Sequence, residues 1–367
     1  MKTRHVRFLI SLAVVLCCVS LVFANDNRLK QNLPVKLGTS GGNVNDRSNA
    51  FCCSGTLGAL VTKGGTNYIL SNNHVLARGD QATVGEDVSQ PGLIDAGCNV
   101  ANTSLVADFS ETQPLGSNVD AALAQVRSGA VDATGAILHV GVPASTIASP
   151  TVGMAVAKSG RTTFLTCANI GSVNTSVNVQ YQRGCGKGKK FVVGYTNQVV
   201  INSSSFSAGG DSGSLIVNSN TAQPVALLFA GSSTTTIGNP IGEVAQKLGV
   251  SFVGGPQHAV SCSGAAATAL NARGAGLAAH EIDRARNVKE RYAPGLMRDP
   301  AIQGVGVGAH PQNPSEAAIV IYLEEGRAHG RIPSEIEGVR TVVVTTDRFR
   351  AFGWNEKEQE PNSCSVK

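Results

Sequence analysis

The chain has 367 residues, enough for two domains of about 100–200 residues each. Apolar residues make up 42% and charged residues 15%, which excludes disorder throughout, and 42 glycines with 5% aromatics favour a turn-rich β protein over a helical bundle. The net charge of +5 falls to about +2 without a basic leader, which excludes a typical nucleic-acid-binding protein with its strongly basic face.

The first 24 residues have the pattern of a secretory signal peptide. A basic start is followed by an apolar run from Phe8 to Phe23 and by small-residue spacing that ends at Ala24. The run is short for a membrane span, which needs about 20 apolar residues, although an uncleaved anchor is the alternative. We therefore expect an exported protein, secreted or periplasmic, with no membrane attachment after signal removal.

The cysteines that remain after signal removal are odd in number. In an oxidising compartment they predict disulfides, with at least one thiol unpaired within the monomer. Cys167 and Cys185 are one plausible pair, and either Cys52 or Cys53 pairs with Cys98. No C-x-x-C spacing is present, so no zinc site is expected. The seven are Cys52, Cys53, Cys98, Cys167, Cys185, Cys262 and Cys364.

Short apolar runs separated by Gly, Asn, Ser and Thr fill residues 25–254. Their lengths of three to six residues, their β-branched content and their turn residues predict an all-β fold, either a sandwich or barrels. The runs are Leu57–Val61, Tyr68–Leu70, Ala121–Val126, Met154–Ala157, Val177–Val179, Phe191–Val193, Leu215–Val217 and Val225–Phe229.

Charge density marks a boundary near residue 255, because residues 255–367 carry charges about twice as densely as residues 25–254. The connector over 256–276 is rich in small residues and predicts few contacts across it. Beyond it we expect a small α+β domain over 277–367 of unknown role. Its elements are a helix from Ala278 to about Tyr292 that ends before Pro294, and strands over Ile302–Val307, Ala318–Leu323 and Val339–Thr345.

Three polar segments of the β block carry residues of catalytic type. His74 follows an apolar strand within Ser-Asn-Asn-His, Asp120 precedes another strand, and Ser212 lies in Gly-Gly-Asp-Ser-Gly ahead of a third. A serine hydroxyl needs a base to take its proton, and a carboxylate on the other histidine nitrogen fixes the tautomer. The order His, Asp, Ser and these motifs resemble the chymotrypsin-like (trypsin-fold) serine proteases, and the histidine segment is especially similar to bacterial members, including the Htr periplasmic proteases.

That resemblance covers about residues 50–250 and implies two β-barrels and peptide-bond hydrolysis. Ser212 would be the nucleophile, His74 the base and Asp120 its orienting carboxylate. The backbone N–H groups of Gly210 and Ser212 would form the oxyanion hole. His139, the other histidine of the β block, lies in an apolar run and is expected to be structural. Of the aspartates that follow His74, Asp120 alone directly precedes a run of small apolar residues.

The resemblance also assigns supporting residues. Asp211 would turn inward and pair with Arg161 of the Ser-Gly-Arg-Thr-Thr segment, so that activation would need no further N-terminal cleavage; the alternative leaves Arg161 solvated on a hairpin. A specificity pocket would lie at Phe206 and along Phe229, Ala230 and Gly231. None of these is acidic, so cleavage after uncharged, small or medium apolar residues is expected, unless Phe206 merely packs in the barrel.

The sequence thus predicts an exported serine endopeptidase that acts on protein or peptide substrates, with no metal, no organic cofactor and no nucleic-acid partner. A binding or scaffold protein on a protease fold is the alternative, because a fold does not by itself define a function. The C-terminal region is expected to recruit substrate, to mediate dimerisation or to act as a cleavable inhibitory segment.

Overall fold

A computed structural model describes residues 26–186, 188–262 and 277–351. The predicted signal peptide, residue 187, most of the connector and the last sixteen residues lie outside these ranges. In the described part no helix is both long and apolar enough to cross a bilayer.

The first half of the described chain forms a barrel of short antiparallel strands. Its strand order is β14-β3-β4-β7-β6-β5-β1-β2, where β14 is Ser251–Phe252. Since β2 runs into β3 after the single residue Gly58, the ring of β1, β5, β6, β7, β4 and β2–β3 is closed. The elements are β1 (Thr39–Asn43), β2 (Gly55–Leu57), β3 (Ala59–Lys63), β4 (Thr66–Ser71), helix α1 (Asn73–Leu76), β5 (Asp87–Gln90), β6 (Ser104–Thr112) and β7 (Ala122–Val126).

A second ring follows, in the order β10-β13-β12-β11-β8-β9, and pairing of β9 with β10 closes it. Both rings enclose buried aliphatic side chains, so the predicted all-β double barrel is confirmed. The elements are β8 (Ala155–Gly160), β9 (Phe164–Gln182), β10 (Lys190–Asn202), β11 (Leu215–Asn218), β12 (Pro224–Gly231), β13 (Thr235–Pro240), α2 (Ile241–Leu248) and β14 (Ser251–Phe252).

The C-terminal region adds a helix and strands, as the sequence predicts. Its helix runs two residues past Pro294, because a proline in the last turn removes only one N–H from the helix. The elements are α3 (Ala279–Leu296), β15 (Ile302–His310), β16 (Asn313–Glu324), β17 (Glu335–Ile336), β18 (Val339–Thr346) and β19 (Arg350–Ala351).

These C-terminal strands are continuous with the second barrel. β15 pairs antiparallel with β9, and β19 pairs with both β12 and β9. Many backbone contacts therefore join the two regions, and the expectation of few contacts between them is wrong. The change in charge density near residue 255 predicted two separate regions. Charge density does not determine which strand edges remain free to pair, so it could not predict this continuity.

Three disulfides link the described cysteines. Cys52 pairs with Cys98, which is one of the two pairings left open by the sequence. Cys53 pairs with Cys185 and Cys167 with Cys262, so the predicted Cys167–Cys185 pair is wrong. Cys185 lies near the tip of the β9–β10 hairpin, which places it beside the first barrel and far along the strand from Cys167. Three disulfides fit an oxidising compartment.

Candidate functional site

His74 is positioned by the short helix that follows β4, at the end of the first barrel. Asn72, just before this helix, donates from its side-chain amide to the carbonyl oxygen of Asp120 at 2.7 Å. The backbone N–H of His74 donates to Asp120 Oδ1 at 3.2 Å. The helix and the turn before β7 are thereby fixed against each other.

The side chains of His74 and Asp120 are in direct contact. Nδ1 of His74 lies 2.6 Å from Oδ2 of Asp120, and the aspartate is fully buried. Its backbone N–H donates to the side-chain oxygen of Asn239 in β13 at 2.9 Å, so both barrels hold it. Because Oδ2 lies on the Nδ1 side of the ring, Nε2 is the nitrogen left to face a substrate or a nucleophile.

A second donor reaches the same carboxylate oxygen. The hydroxyl of Tyr181 donates to Asp120 Oδ2 at 2.8 Å, and the hydroxyl of Tyr195 lies 2.7 Å from that of Tyr181. Burial, followed by the charge of Asp120, raises the pKa of Tyr181 well above its ordinary value, so the phenol keeps its proton and donates. No sequence motif marks Tyr181, which lies 61 residues from Asp120 in the chain.

Ser212 lies between β10 and β11 in a loop that the first barrel supports. The backbone N–H of Thr56 donates to the carbonyl oxygen of Ser212 at 2.8 Å, and the Thr56 hydroxyl donates to that of Gly210 at 2.9 Å. Gly210 and Gly213 have φ values of +91° and +94°, which residues with a Cβ rarely adopt. A Cβ at Gly213 would also lie 2.2 Å from the carbonyl oxygen of Thr56.

Several polar groups around Ser212 and His74 have no hydrogen-bond partner among the described residues. Within the described ranges, neither the backbone N–H of Gly210 nor that of Ser212 donates to a protein acceptor. Oγ of Ser212 and Nε2 of His74 are likewise buried and without a partner there. Unsatisfied buried polar atoms are costly, and a catalytic role is one of the explanations for keeping them.

Asp211 points away from solvent, as predicted, but its cationic neighbour is Lys158. The ammonium of Lys158 lies 3.4 Å from Asp211 Oδ2, and both side chains are fully buried. Burial lowers the pKa of Lys158, and the charge of Asp211 opposes that effect. The carboxylate also accepts from the backbone N–H groups of Thr162 at 2.8 Å and Ala208 at 3.0 Å.

The predicted Arg161–Asp211 ion pair is therefore wrong. Arg161 forms a bidentate pair with Asp95, from Nε at 2.7 Å and from Nη2 at 2.8 Å. Successive side chains of a strand point to opposite faces, so Lys158 and Gly160 share the face of β8 that meets Asp211. A Cβ at Gly160 would lie 2.5 Å from Asp211 Oδ1, and Arg161, just past the strand, turns to the other side.

The residues expected to form a specificity pocket are buried. Phe206 packs among aliphatic side chains of the second barrel, including Val156 and Ile216. Phe229 contacts Tyr195, with ring centroids 4.9 Å apart. Ala230 and Gly231 end β12 and pair with β19. Phe206 therefore lies in the barrel core, as the alternative interpretation anticipated. His139 is not part of the site, and its Nε2 contacts Asn27 at 3.0 Å.

A small cleft lies beside His74. Its lining includes Asp46, Tyr181, Phe191 and Ala351 of β19. Asp46 also lies close to Cys53 and Cys185, but the disulfide between these two sulfurs leaves no thiolate to bind a metal.

Asp46 makes stability depend on pH. Burial raises its pKa to about 6, opposed by the charges of Arg78 and His74. In the unfolded chain an aspartate has a pKa of about 3.9. The free energy of unfolding therefore falls as pH rises from about 4 to 6 and stays lower above pH 6. Relative to wild type, Asp46→Asn should gain stability between pH 4 and pH 7, by at most about 2–3 kcal/mol in urea unfolding.

Asp132→Asn is the matched substitution, and its effect on stability should change with pH in the opposite direction. The hydroxyl and backbone N–H of Thr134 lower the pKa of Asp132, so its ionised form stabilises the fold. Asp132→Asn should therefore lose stability relative to wild type as pH rises through the acid range. If Asp46→Asn followed the same trend as Asp132→Asn, the raised pKa of Asp46 would be wrong.

Comparison with known proteins finds similarity at the level of solved structures. No protein-family model and no curated protein matches the sequence. Similar structures include a glutamic-acid-specific serine protease, at 23% identity and a TM-score of 0.43, over 59% of this chain and all of that one. Thermobifida fusca protease A matches at 18% identity and a TM-score of 0.41, over 60% of this chain and 99% of that one. An α-lytic protease homologue matches at 20% identity and a TM-score of 0.40, over 59% of this chain and 98% of that one.

Proposed function

We propose that this chain is an exported serine endopeptidase that hydrolyses peptide bonds through an acyl-enzyme on Ser212. One observation carries the proposal: His74 contacts Asp120 through Nδ1 at 2.6 Å, while its Nε2 and Oγ of Ser212 are buried without partners among the described residues. The neutral Nε2 accepts the serine proton as Oγ attacks the carbonyl carbon, and then returns it to the leaving amine.

The backbone N–H groups of Gly210 and Ser212 stabilise the negative charge that develops on the carbonyl oxygen. Both lack a protein acceptor in the described ranges, so they are available to donate. Removing one such donor typically lowers the rate by about 10²–10³-fold. Asp120 holds the imidazole in the tautomer with its proton on Nδ1 and stabilises the imidazolium that forms.

A fluorophosphonate probe tests this proposal. Such probes modify a serine only when a base activates it, so labelling should occur on Ser212 in the folded protein and be lost after unfolding. His74→Ala should abolish the labelling while the protein stays folded. Absence of Ser212 labelling in the folded protein would favour the alternative, a binding protein on a protease fold.

We assign Tyr181 a positioning role, because it contacts Asp120 rather than substrate. Tyr181→Phe removes a hydrogen bond to a buried carboxylate, an interaction of about 1.5–3 kcal/mol, and should lower kcat about 10–100-fold with little change in KM. Tyr195→Phe is the matched control, since its hydroxyl contacts Tyr181 and not Asp120. Equal effects of the two substitutions, or a change in KM alone, would contradict this role.

The proposed primary specificity is for uncharged side chains. The segment from Phe229 to Gly231 offers no acidic group that could pair with Lys or Arg. A peptide-library digest should therefore show cleavage after small or medium apolar residues. A profile dominated by cleavage after Arg or Lys would contradict it.

A further inference from the structure

A pocket of about 690 Å³ lies between helix α3 and the β9–β10 hairpin. Its volume is in the range of small-ligand sites. The helix contributes Lys289 and Ala293, and the strands contribute Ser176, Asn178 and Thr196. None of the described residues that line it belongs to the candidate catalytic set, so the proposed reaction does not account for this pocket.

A lysine occupies a position on α3 where the helix pattern favours an apolar side chain. Residues four apart share a face of a helix, and Ala285 and Ala293, on either side of Lys289 in this series, are buried. Lys289 is itself only 5% exposed. Lysines are almost never buried to this extent unless they are paired. The buried face of α3 thus carries a cation that packing alone does not explain.

The ammonium of Lys289 is only partly satisfied by the protein. Nζ donates to the hydroxyl oxygen of Ser176 at 2.9 Å, and within the described ranges it makes no other hydrogen bond and no ion pair. Burial lowers the pKa of Lys289, and the charge of Glu290 opposes that effect. Glu290 also lines the pocket, but its side chain is exposed, so water screens its charge. Because an ammonium has three N–H donors and a hydroxyl keeps its own hydrogen, several donors remain available to an acceptor.

A carboxylate fits these donors better than a neutral group does. Its two oxygens accept several hydrogen bonds, and it supplies the charge that a buried ammonium otherwise lacks.

The rest of the lining suits peptide groups. The side-chain amide of Asn174 donates to the side-chain oxygen of Asn197 at 2.8 Å, which leaves an acceptor on Asn174 and donors on Asn197. A peptide group carries one N–H donor and one carbonyl acceptor, so it matches this pair of amides. Ala293 and Met297 also line the pocket and offer apolar contact to a small side chain.

We propose that the pocket between α3 and the β9–β10 hairpin binds the carboxyl-terminal end of a short peptide. The terminal carboxylate contacts the ammonium of Lys289 and the hydroxyl of Ser176, and the asparagine amides contact the peptide groups. Hydrolysis of a peptide bond creates such a carboxylate, so the source of the ligand rests on the proposed function. The binding site itself does not.

Calorimetry with the Ser212→Ala chain tests this binding without hydrolysis of the probe. The probe is N-acetyl-trialanine, and its C-terminal amide is the matched control because it lacks only the charged end. We expect the acid to bind about tenfold or more tightly than the amide and than sodium acetate. Equal affinities for acid and amide, or no binding of the acid at millimolar concentration, would overturn the inference. Acetate that binds as tightly as the acid would overturn the assignment to peptides.

A substitution on α3 tests whether the acid binds at Lys289. Lys289→Met, made in the same Ser212→Ala chain, keeps a similar volume without the charge and should weaken binding of the acid about tenfold or more. Arg286→Met is the matched control, because Arg286 lies on the same helix and pairs with Asp283 at the surface. It should bind the acid as the parent chain does. Unchanged binding by Lys289→Met would overturn the inference.

Reductive methylation locates the ligand without any change at Lys289. In the Ser212→Ala chain, mass spectrometry should find Lys289 methylated more slowly with the acid present than with the amide present. Equal methylation with the two probes would overturn the inference, whether or not Lys289→Met folds. If Lys289 is protected by the acid but Ser212 of the wild-type chain does not react with the fluorophosphonate, the proposed function fails while the binding site stands.

Discussion

Replacing Ser212 with alanine should reduce peptide hydrolysis by about a millionfold, the loss typical when a serine nucleophile is removed. The fold should be preserved, because the Ser212 hydroxyl has no hydrogen-bond partner among the described residues, and deleting an unsatisfied hydroxyl costs little stability. Its backbone contact with Thr56 is made by the carbonyl oxygen and is kept. Activity is measured on a mixed peptide library, and folding by circular dichroism and urea unfolding.

Ser204→Ala is the matched control for this substitution. Ser204 lies in the same connection between β10 and β11, but its side chain is exposed. It should retain wild-type turnover and wild-type stability. Hydrolysis by Ser212→Ala at the rate of Ser204→Ala would remove the serine mechanism from consideration.

Replacing Lys158 with methionine should destabilise the protein by about 3–5 kcal/mol, the usual cost of leaving one member of a buried ion pair without its partner. Methionine fills a similar volume, so the expected loss comes from the uncompensated charge of Asp211. Asp211 lies between Gly210 and Ser212, so its displacement should also misdirect their N–H groups. Fluorophosphonate labelling of Ser212 should then slow by about 10²-fold or more.

Two further variants separate charge from packing. Lys247→Met removes a lysine whose pairing with Glu243 is partly exposed, at 3.9 Å, and should change stability by less than about 1 kcal/mol. Adding Asp211→Asn to Lys158→Met removes the unpaired charge and should recover part of the lost stability. Equal, small effects of Lys158→Met and Lys247→Met would contradict the importance of the buried pair.

Short β-branched runs predicted several strands in each barrel, because such runs are buried and separated by turn residues. It did not predict strands such as β13, which reads Thr-Thr-Ile-Gly-Asn-Pro and carries little apolar content. It also did not predict that β15 and β19 would complete the edges of β9 and β12. Pairing between distant strands depends on which edges are left free, and local composition does not carry that information.

The candidate site was predicted in part. The contact of His74 with Asp120 was expected from motifs on either side of apolar strands, and the structure brings these two side chains together. The partner of Asp211 was misassigned, although the two-residue period of β8 distinguishes Lys158 from Arg161 once the strand is known to end at Gly160. Tyr181 had no local signal, because its role arises from the position of β9 across the cleft.

Mass spectrometry of protein quenched in acid during turnover tests the central claim most directly. With an activated ester or a peptide ester as substrate, we predict one acyl group per protein molecule, located on Ser212 by peptide mapping. The adduct should be present in the wild-type chain and absent from Ser212→Ala. Turnover without an adduct on Ser212, or an adduct on another residue, would contradict the account.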